Sequence, residues 1–274
     1  MPLIKSSIGE QALSIITRAL KTGEENGIDG NDKLKELAIK TNSLISLIYC
    51  YTCIEDSTID NDDEIINWTI PDVGYDFAST LLNLACGLYK TGASCQRGAI
   101  EMAIVSLYFQ ILENEFSGTG YNPKFNAWDG GDDSTPNWGT TKPKIKNHNN
   151  VKEFKIQYGY CPIDEVYKHF KYLCSFTHSR SISHEDGKGT NAMNMKNHPG
   201  EFHIDEFNRI SELMDETISS IAATWSIVYP QIIYHYLEGN IDSEFCAIEK
   251  LYNTVHSEKA YEFAKNKTKE YKSS

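Results

Sequence analysis

The chain has 274 residues, of which 40% are hydrophobic and 11% aromatic, which is enough for a folded protein with a sizeable core. Its formal net charge of −12 argues against a surface that neutralises many phosphates along a nucleic-acid backbone, although a local basic pocket is compatible with that charge. Seven scattered cysteines and an N terminus without a long apolar run predict a reduced, cytoplasmic location.

Apolar residues at helical spacing recur along most of the chain. The predicted helices cover residues 7–21, 31–54, 75–90, 94–116, 162–180, 205–237 and 243–267. We therefore predict an all-α fold, a single helical bundle of about six to seven helices. No internal repeat or clean boundary is visible, so we expect one domain over residues 1–274, with a Lys-rich tail at 268–274.

Two stretches lack this periodicity. Residues 117–160, between the fourth and fifth helices, are rich in Gly, Pro, Asn, Asp and Thr but also contain Phe125, Trp128 and Trp138. Because ordinary connections have about 4–6 residues, we expect an ordered excursion that these aromatic side chains hold in place. Residues 181–203 contain several glycines and little apolar pattern, which predicts a mobile loop.

The stretch from Thr217 to Leu237 approaches the length of a membrane span and has no formally charged residue. It also contains several serines and threonines, Gln231 and His235, which are costly in a bilayer. We therefore predict a buried helix and no membrane contact, and we expect Pro230 to kink the helix.

A group of ionisable side chains at the ends of two apolar helices forms the candidate site. They are Arg97 and Glu101 of the fourth helix, Tyr167, His178 and Arg180 of the fifth, and His184 just beyond it. An imidazole can transfer protons while a neighbouring guanidinium holds a phosphate. This pair is the minimum needed to cleave RNA when the 2′-hydroxyl attacks, and that reaction needs no metal ion.

A purely structural interpretation of the same residues stays open. Arg97 and Glu101 are spaced as an i, i+4 ion pair, and a histidine such as His178 at a helix C terminus can serve to meet the helix dipole. The functional interpretation requires the two helices to converge so that the side chains share one cavity.

Three short motifs resemble a known family. Arg-Gly-Ala-Ile-Glu (97–101) opens one apolar helix, and Tyr-x-x-x-x-Tyr-Leu-Cys-Ser-Phe-Thr-His (167–178) closes another. Between them, Phe125, Trp128 and Gly131 match a Phe-x-x-Trp-x-x-Gly pattern. Together they resemble helical proteins of bacterial abortive-infection and phage-defence loci, which are similar to the HEPN class.

The resemblance implies a helical bundle that dimerises and cuts RNA without a metal or other cofactor. It implies RNA as a partner, together with a second copy of the chain or a partner protein. In this site His178 would be the acid–base group, Arg97 would position the phosphate and Glu101 would orient Arg97. Contacts to the substrate would come from Arg180, Tyr167 and His184.

One departure from the family pattern keeps a second hypothesis open. Active HEPN ribonucleases have an Arg followed after four to six residues by a His, whereas only three residues separate Arg180 from His184. His178 also precedes Arg180 instead of following it. Either the site is assembled across helices, or the chain is a non-catalytic interaction or ligand-sensing module of a defence or toxin–antitoxin system.

A metal-dependent hydrolase is a third possibility. The residues that could supply zinc ligands are His178, His184, His198, His203, Cys161 and Cys174. Their spacing matches no compact zinc motif, so we predict no metal site.

Overall fold

The fold is all-α, as predicted. A computed structural model describes residues 17–26, 31–53, 65–118, 121–177, 200–238 and 247–273. These ranges contain eleven α-helices and no strand, so the predicted number of about six to seven helices is too low.

The helices are numbered in chain order, with two short 3₁₀ helices named separately. They are α1 (17–25), α2 (Asp32–Tyr49), α3 (Ile65–Ala85), α4 (Tyr89–Asn114), α5 (Pro123–Asp129), α6 (Trp138–Asn147), α7 (Asn149–Tyr158), α8 (Pro162–Thr177), α9 (Ile204–Val228), α10 (Gln231–Glu238) and α11 (Val255–Ser273). The 3₁₀ helices are Cys50–Cys53 and Ile248–Lys250.

Helix α4 lies at the centre of the fold and packs against α3, α6, α8 and α9. Every residue from Ala103 to Ile111 is buried, as expected for a helix surrounded by other helices. The two polar side chains in that run have partners. The Ser106 hydroxyl donates to the Met102 carbonyl (2.8 Å), and the Gln110 amide donates to the Tyr51 hydroxyl (3.0 Å).

The stretch predicted as a buried helix forms the end of α9 and all of α10. Residues 217–228 are buried except Ser220. The Thr224 hydroxyl donates to the Ser220 carbonyl (2.7 Å) and the Ser226 hydroxyl to the Ala222 carbonyl (2.8 Å), which offsets the cost of burial. The chain breaks at Pro230 between the two helices instead of only bending. Across the described ranges, no helix combines the length and apolarity that a membrane crossing requires.

Helix α3 begins ten residues earlier than predicted, because Pro71 lies inside it and does not start it. Ile65, Ile66 and Ile70 are fully buried ahead of or beside Pro71, so apolar burial outweighs the one backbone hydrogen bond that proline removes. The helix ends at Ala85 because Gly87 adopts a left-handed conformation (φ 67°). Residues 89 and 90 therefore begin α4 and do not end α3.

The predicted excursion at 117–160 is largely helical and contains α5, α6 and α7. Several of its Pro and Gly residues lie at helix ends, whereas Pro143 lies inside α6. Pro123 occupies the first turn of α5, after Asn122 caps the helix, and Gly159 ends α7 in a left-handed conformation. The aromatic residues do hold this segment in place, since Phe125 and Trp128 pack on Phe109 of α4.

The predicted last helix, 243–267, differs from the structure at both ends. Thr254 and Ser257 exchange backbone-to-hydroxyl hydrogen bonds (3.1 Å each), a capping arrangement that starts α11 at Val255. The helix continues through the residues predicted as a tail. Thr268 is buried there and donates to the Pro230 carbonyl (3.1 Å).

Most of the predicted mobile loop lies outside the described residues, which resume at Gly200. Hydrogen bonds join residues 200–203 to α1, to the α3–α4 turn and to the start of α4. Gly200 donates to the Gly87 carbonyl (3.3 Å), and its own carbonyl accepts from Thr22 (2.6 Å). The His203 backbone donates to the Tyr89 hydroxyl (2.8 Å).

A buried lysine joins α2 to α9 and to the segment just before α11. Lys40 of α2 is 1% exposed, and its Nζ lies 2.9 Å from Asp215 Oδ1 of α9 and 3.1 Å from Asn253 Oδ1. Ser219 also donates to Asn253 (3.2 Å). Burial lowers the pKa of Lys40, although the Asp215 carboxylate opposes that change.

Candidate functional site

Arg97 lies at the contact between α4 and α8, the two helices whose convergence the functional interpretation requires. Its Nε donates to the Sγ atom of Cys174 (3.3 Å), and its Cζ lies 4.9 Å from the centre of the Phe170 ring. Phe170 and Cys174 are four residues apart on α8 and therefore share one helix face. The contact of Arg97 with α8 brings the two predicted segments together.

Glu101 is the second predicted residue on α4, one turn beyond Arg97. Its Oε2 lies 3.4 Å from Nη2 of Arg97, and the two side chains are 31% and 29% exposed. At this exposure solvent screens the pair, so that it contributes little to stability. The contact agrees with the i, i+4 spacing of the two residues, and the role predicted for Glu101 in orienting Arg97 stays a prediction.

Three of the six predicted site residues lie outside the described residues: His178, Arg180 and His184. The last described turn of α8 contains Cys174, which precedes His178 by four residues. The structure therefore places Arg97 and Glu101 together, and it places Arg97 against α8 just ahead of the predicted acid–base residue.

Tyr167, predicted to contact substrate, forms part of an aromatic cluster with α6. The ring of Trp138 lies 5.1 Å from Tyr167 and 5.0 Å from Phe170, measured between ring centres. Phe170 in turn lies beneath Arg97. One continuous set of rings therefore connects the predicted substrate contact to the guanidinium.

Lysine side chains surround this cluster. Lys142 Nζ lies 4.3 Å from the centre of the Tyr167 ring, and Lys171 Nζ lies 5.8 Å from it, both within the range of a cation–π contact. Lys142 also pairs with Asp164 of α8 (2.8 Å), as does Lys146 (3.0 Å). Partial burial opposes ionisation of Asp164, but the two ammonium groups outweigh it and lower the pKa of that carboxyl.

Trp138 and Lys142 are not among the predicted site residues, because the composition of residues 117–160 resembles that of an irregular segment. They are four residues apart on one face of α6, so recognising the helix would have revealed the pair. The local charge was also visible. Residues 138–171 contain seven lysines and three acidic residues, a net charge of +4 in a chain of −12.

Two further features lie next to Arg97 along α4. Gln96 is fully buried, and neither its Nε2 nor its Oε1 has a hydrogen-bond partner. At Gly98, a Cβ atom would lie 2.4 Å from Oδ2 of Asp76, so the absent side chain lets α3 approach α4. Burial raises the pKa of Asp76, and the nearby Asp72 carboxylate adds to that effect.

The described residues near the site form no cluster of metal-ligand side chains. Within the ranges given above, no three His, Cys, Asp or Glu residues are grouped so that they could hold a metal ion. Of the residues considered as zinc ligands, Cys161, Cys174 and His203 are described, and the other three are not. What this part of the site offers a ligand is a guanidinium, several ammonium groups and aromatic faces, which suit a phosphate ester with attached bases.

Comparisons with known proteins add nothing to this geometry: no protein-family model, curated protein or solved structure matches the chain.

Proposed function

We propose that this chain is a HEPN-like protein of bacterial antiviral defence that cleaves RNA in the cytoplasm without a metal ion, acting as a homo-oligomer or with a partner protein. The observation that supports the proposal is the contact of Arg97 with Cys174 of α8, a residue that precedes His178 by four positions in the sequence. The basic and aromatic surface formed by α6 and α8 supports RNA as the ligand.

In the proposed reaction the ribose 2′-hydroxyl attacks the adjacent phosphorus. A P–O bond forms to the 2′-oxygen, and the bond to the 5′-oxygen of the next nucleotide breaks. His178 takes the proton from the 2′-hydroxyl and returns a proton to the departing 5′-oxygen. Arg97 neutralises the charge that develops on the phosphate, and Glu101 fixes the direction of the guanidinium. Tyr167, Arg180 and His184 are assigned to substrate binding.

The direct test is degradation of RNA by the purified protein in EDTA. We expect cleavage by the parent chain and a loss of about 100-fold or more in His178→Ala and Arg97→Ala. Lys90→Ala is the matched control, because it removes an exposed positive charge from the same helix as Arg97. Unchanged cleavage in both site variants would remove the assignment of this site.

One observation favours a second candidate, a non-catalytic interaction or ligand-sensing module. The Nε atom, the Nη2 atom and the planar face of the Arg97 guanidinium are all engaged by the chain's own Cys174, Glu101 and Phe170. A guanidinium held this way is able to fasten α4 to α8 without binding a ligand. RNA that remains intact in the assay, with no change in its gel mobility, would favour this candidate.

A further inference from the structure

The outward face of α3 carries an unusual row of apolar side chains. Trp68, Pro71, Tyr75, Ala78 and Leu82 are all exposed, and they follow one another at intervals of three, four, three and four residues. Trp68 is 59% exposed, Tyr75 74% and Leu82 66%. We call these five residues the α3 seam. Single exposed apolar residues are common on proteins, but five at the spacing of a helix-packing face are not.

The core formed by the described residues does not use the α3 seam. The opposite face of the helix supplies the core, with Ile66, Ile70, Val73 and Phe77 fully buried. Helix α3 is thus apolar on two faces, and the described residues cover only one of them. A three-and-four alternation of apolar residues is the pattern by which one helix packs along another.

An apolar groove lies beside the C-terminal half of the α3 seam. It has a volume of about 670 Å³, runs between α1, α2 and α3, and shares Ala78 and Leu82 with the seam. Leu20, which is 69% exposed, lines the groove from α1, and Ala85 and Cys86 line it from α3. The groove is large enough to hold an aromatic side chain, and the seam ends next to it.

We propose that a second copy of this chain covers the α3 seam, with the two α3 helices antiparallel about a two-fold axis. One register brings Tyr75 against Ala78 of the second copy and Leu82 against Pro71, so that each large side chain meets a small or short one. The same register carries Trp68 to the groove of the second copy. Each contact then occurs twice, as a two-fold interface requires.

The available area agrees with a dimer of modest size. Since a buried aromatic side chain covers about 150–250 Å², Trp68, Tyr75, Leu82 and Leu20 offer on the order of 500 Å² per copy. Two copies reach the roughly 1,000 Å² of a specific interface. Both copies carry a net charge of −12, so long-range repulsion opposes association and salt weakens that repulsion. A dimer held by the seam must therefore strengthen with salt, whereas a basic partner would be released.

The test is the mass of the full-length chain in solution, measured by sedimentation velocity over a range of concentrations. We expect a dimer, and we expect Tyr75→Lys or Leu82→Glu to weaken it about 30-fold or more. Ile156→Glu is the matched control. This residue is 87% exposed on α7, away from the seam, and its change should leave the dimer intact. Circular dichroism checks that each variant remains helical.

A charge pair tests the register. Tyr75→Lys and Ala78→Glu should each weaken the dimer, and the double variant should recover part of the lost affinity because the introduced ammonium group then faces the introduced carboxylate of the other copy. A monomeric parent chain at high salt, or dimers unaffected by Leu82→Glu, would overturn the proposal. A double variant that dimerises no more tightly than the two single variants would overturn the register. These measurements use no RNA, so they stand apart from the proposed cleavage.

Discussion

Two cationic side chains, Lys40 and Arg97, lie between helices of this fold and are held in opposite ways. Lys40 is 1% exposed, and its ammonium group is bonded to the Asp215 carboxylate and the Asn253 side chain. Arg97 is 29% exposed and touches a thiol, an aromatic face and a carboxylate 3.4 Å away. The first site is closed to solvent at the ammonium group and its charge is paired, which indicates a structural role. The second leaves part of its cation facing solvent, where a ligand can reach it.

The largest effect that separates the two sites should come from removing each charge. Lys40→Met strands the Asp215 carboxylate in a mostly buried position, and we expect a loss of about 3–5 kcal/mol in the free energy of unfolding. The matched Arg97→Met variant should lose less than about 1 kcal/mol, because its pair is partly exposed. Urea denaturation measures both changes. Adding Asp215→Leu to Lys40→Met should restore part of the loss, and equal losses at the two sites would break the comparison.

A second prediction concerns Gly87, in the turn between α3 and α4 that precedes Arg97. Gly87 precedes α4 with φ 67°, and a Cβ there would lie 2.4 Å from the Glu201 backbone oxygen. We expect Gly87→Ala to cost roughly 2–4 kcal/mol, from left-handed strain together with the clash.

The control for that glycine is Gly159→Ala. Gly159 has φ 78° but no neighbouring atom within 4 Å of the added Cβ. Only the strain term applies there, so we expect a loss of about 1–2 kcal/mol by urea denaturation. If the two alanine variants are equally stable, the backbone contact between Gly87 and Glu201 does not constrain the start of α4.

The unbonded amide beside Arg97 gives a smaller effect of opposite sign. Gln96 is fully buried without a partner, so Gln96→Met should raise the free energy of unfolding by about 1 kcal/mol. Gln110→Met, on the same helix, removes an amide that bonds Tyr51 and Asn114 and should lower it. If Gln96→Met instead lowers the free energy of unfolding, this buried amide has a hydrogen-bond partner in solution. The polar site at Arg97 would then continue into the core.

The smallest expected effect is on the pH dependence of stability, and it involves His169 of α8. His169 of α8 bonds Thr217 of α9 through Nδ1 (3.1 Å), and burial lowers the pKa of its imidazole. Below pH 6.5 the unfolded chain takes up a proton that the folded chain resists. The contribution of His169 to stability is therefore complete above pH 6.5 and is lost as the pH falls through the lower value of the folded state.

We expect the free energy of unfolding of the parent chain to fall between pH 7 and pH 5 more steeply than that of His169→Gln. Urea denaturation at several pH values measures the difference between the two slopes. Identical slopes would mean that this histidine is not protected by its burial.

Much of the fold could be predicted from the sequence because apolar spacing determines which segments are helical. The positions of α4, α8 and α9 follow directly from that spacing. The errors arose where a local signal has two meanings. Pro71 can start a helix or lie within one, and the choice depends on the burial of the isoleucines before it, which sequence alone does not give. Likewise Pro123 and Gly159 mark helix ends within a stretch whose composition resembles that of a loop.

The candidate site could be predicted only in part for a similar reason. The spacing of Arg97 and Glu101 gives their i, i+4 contact, since it depends on one helix. The contact between Arg97 and Cys174 depends on how α4 and α8 pack, and 77 residues separate the two. To predict the contact between Trp138 and Tyr167, one would have to recognise α6 as a helix and know how it packs against α8.

The Lys40 network also has a consequence for how the chain reaches its native state. The two bonds of the ammonium group span 175 and 213 residues of sequence. During synthesis the Lys40 ammonium group therefore has no carboxylate partner until the segment around Asp215 leaves the ribosome, and its second bond forms only after Asn253 follows. Contacts of such long range close late and slow folding, so the N-terminal third should depend on chaperones more than its composition suggests.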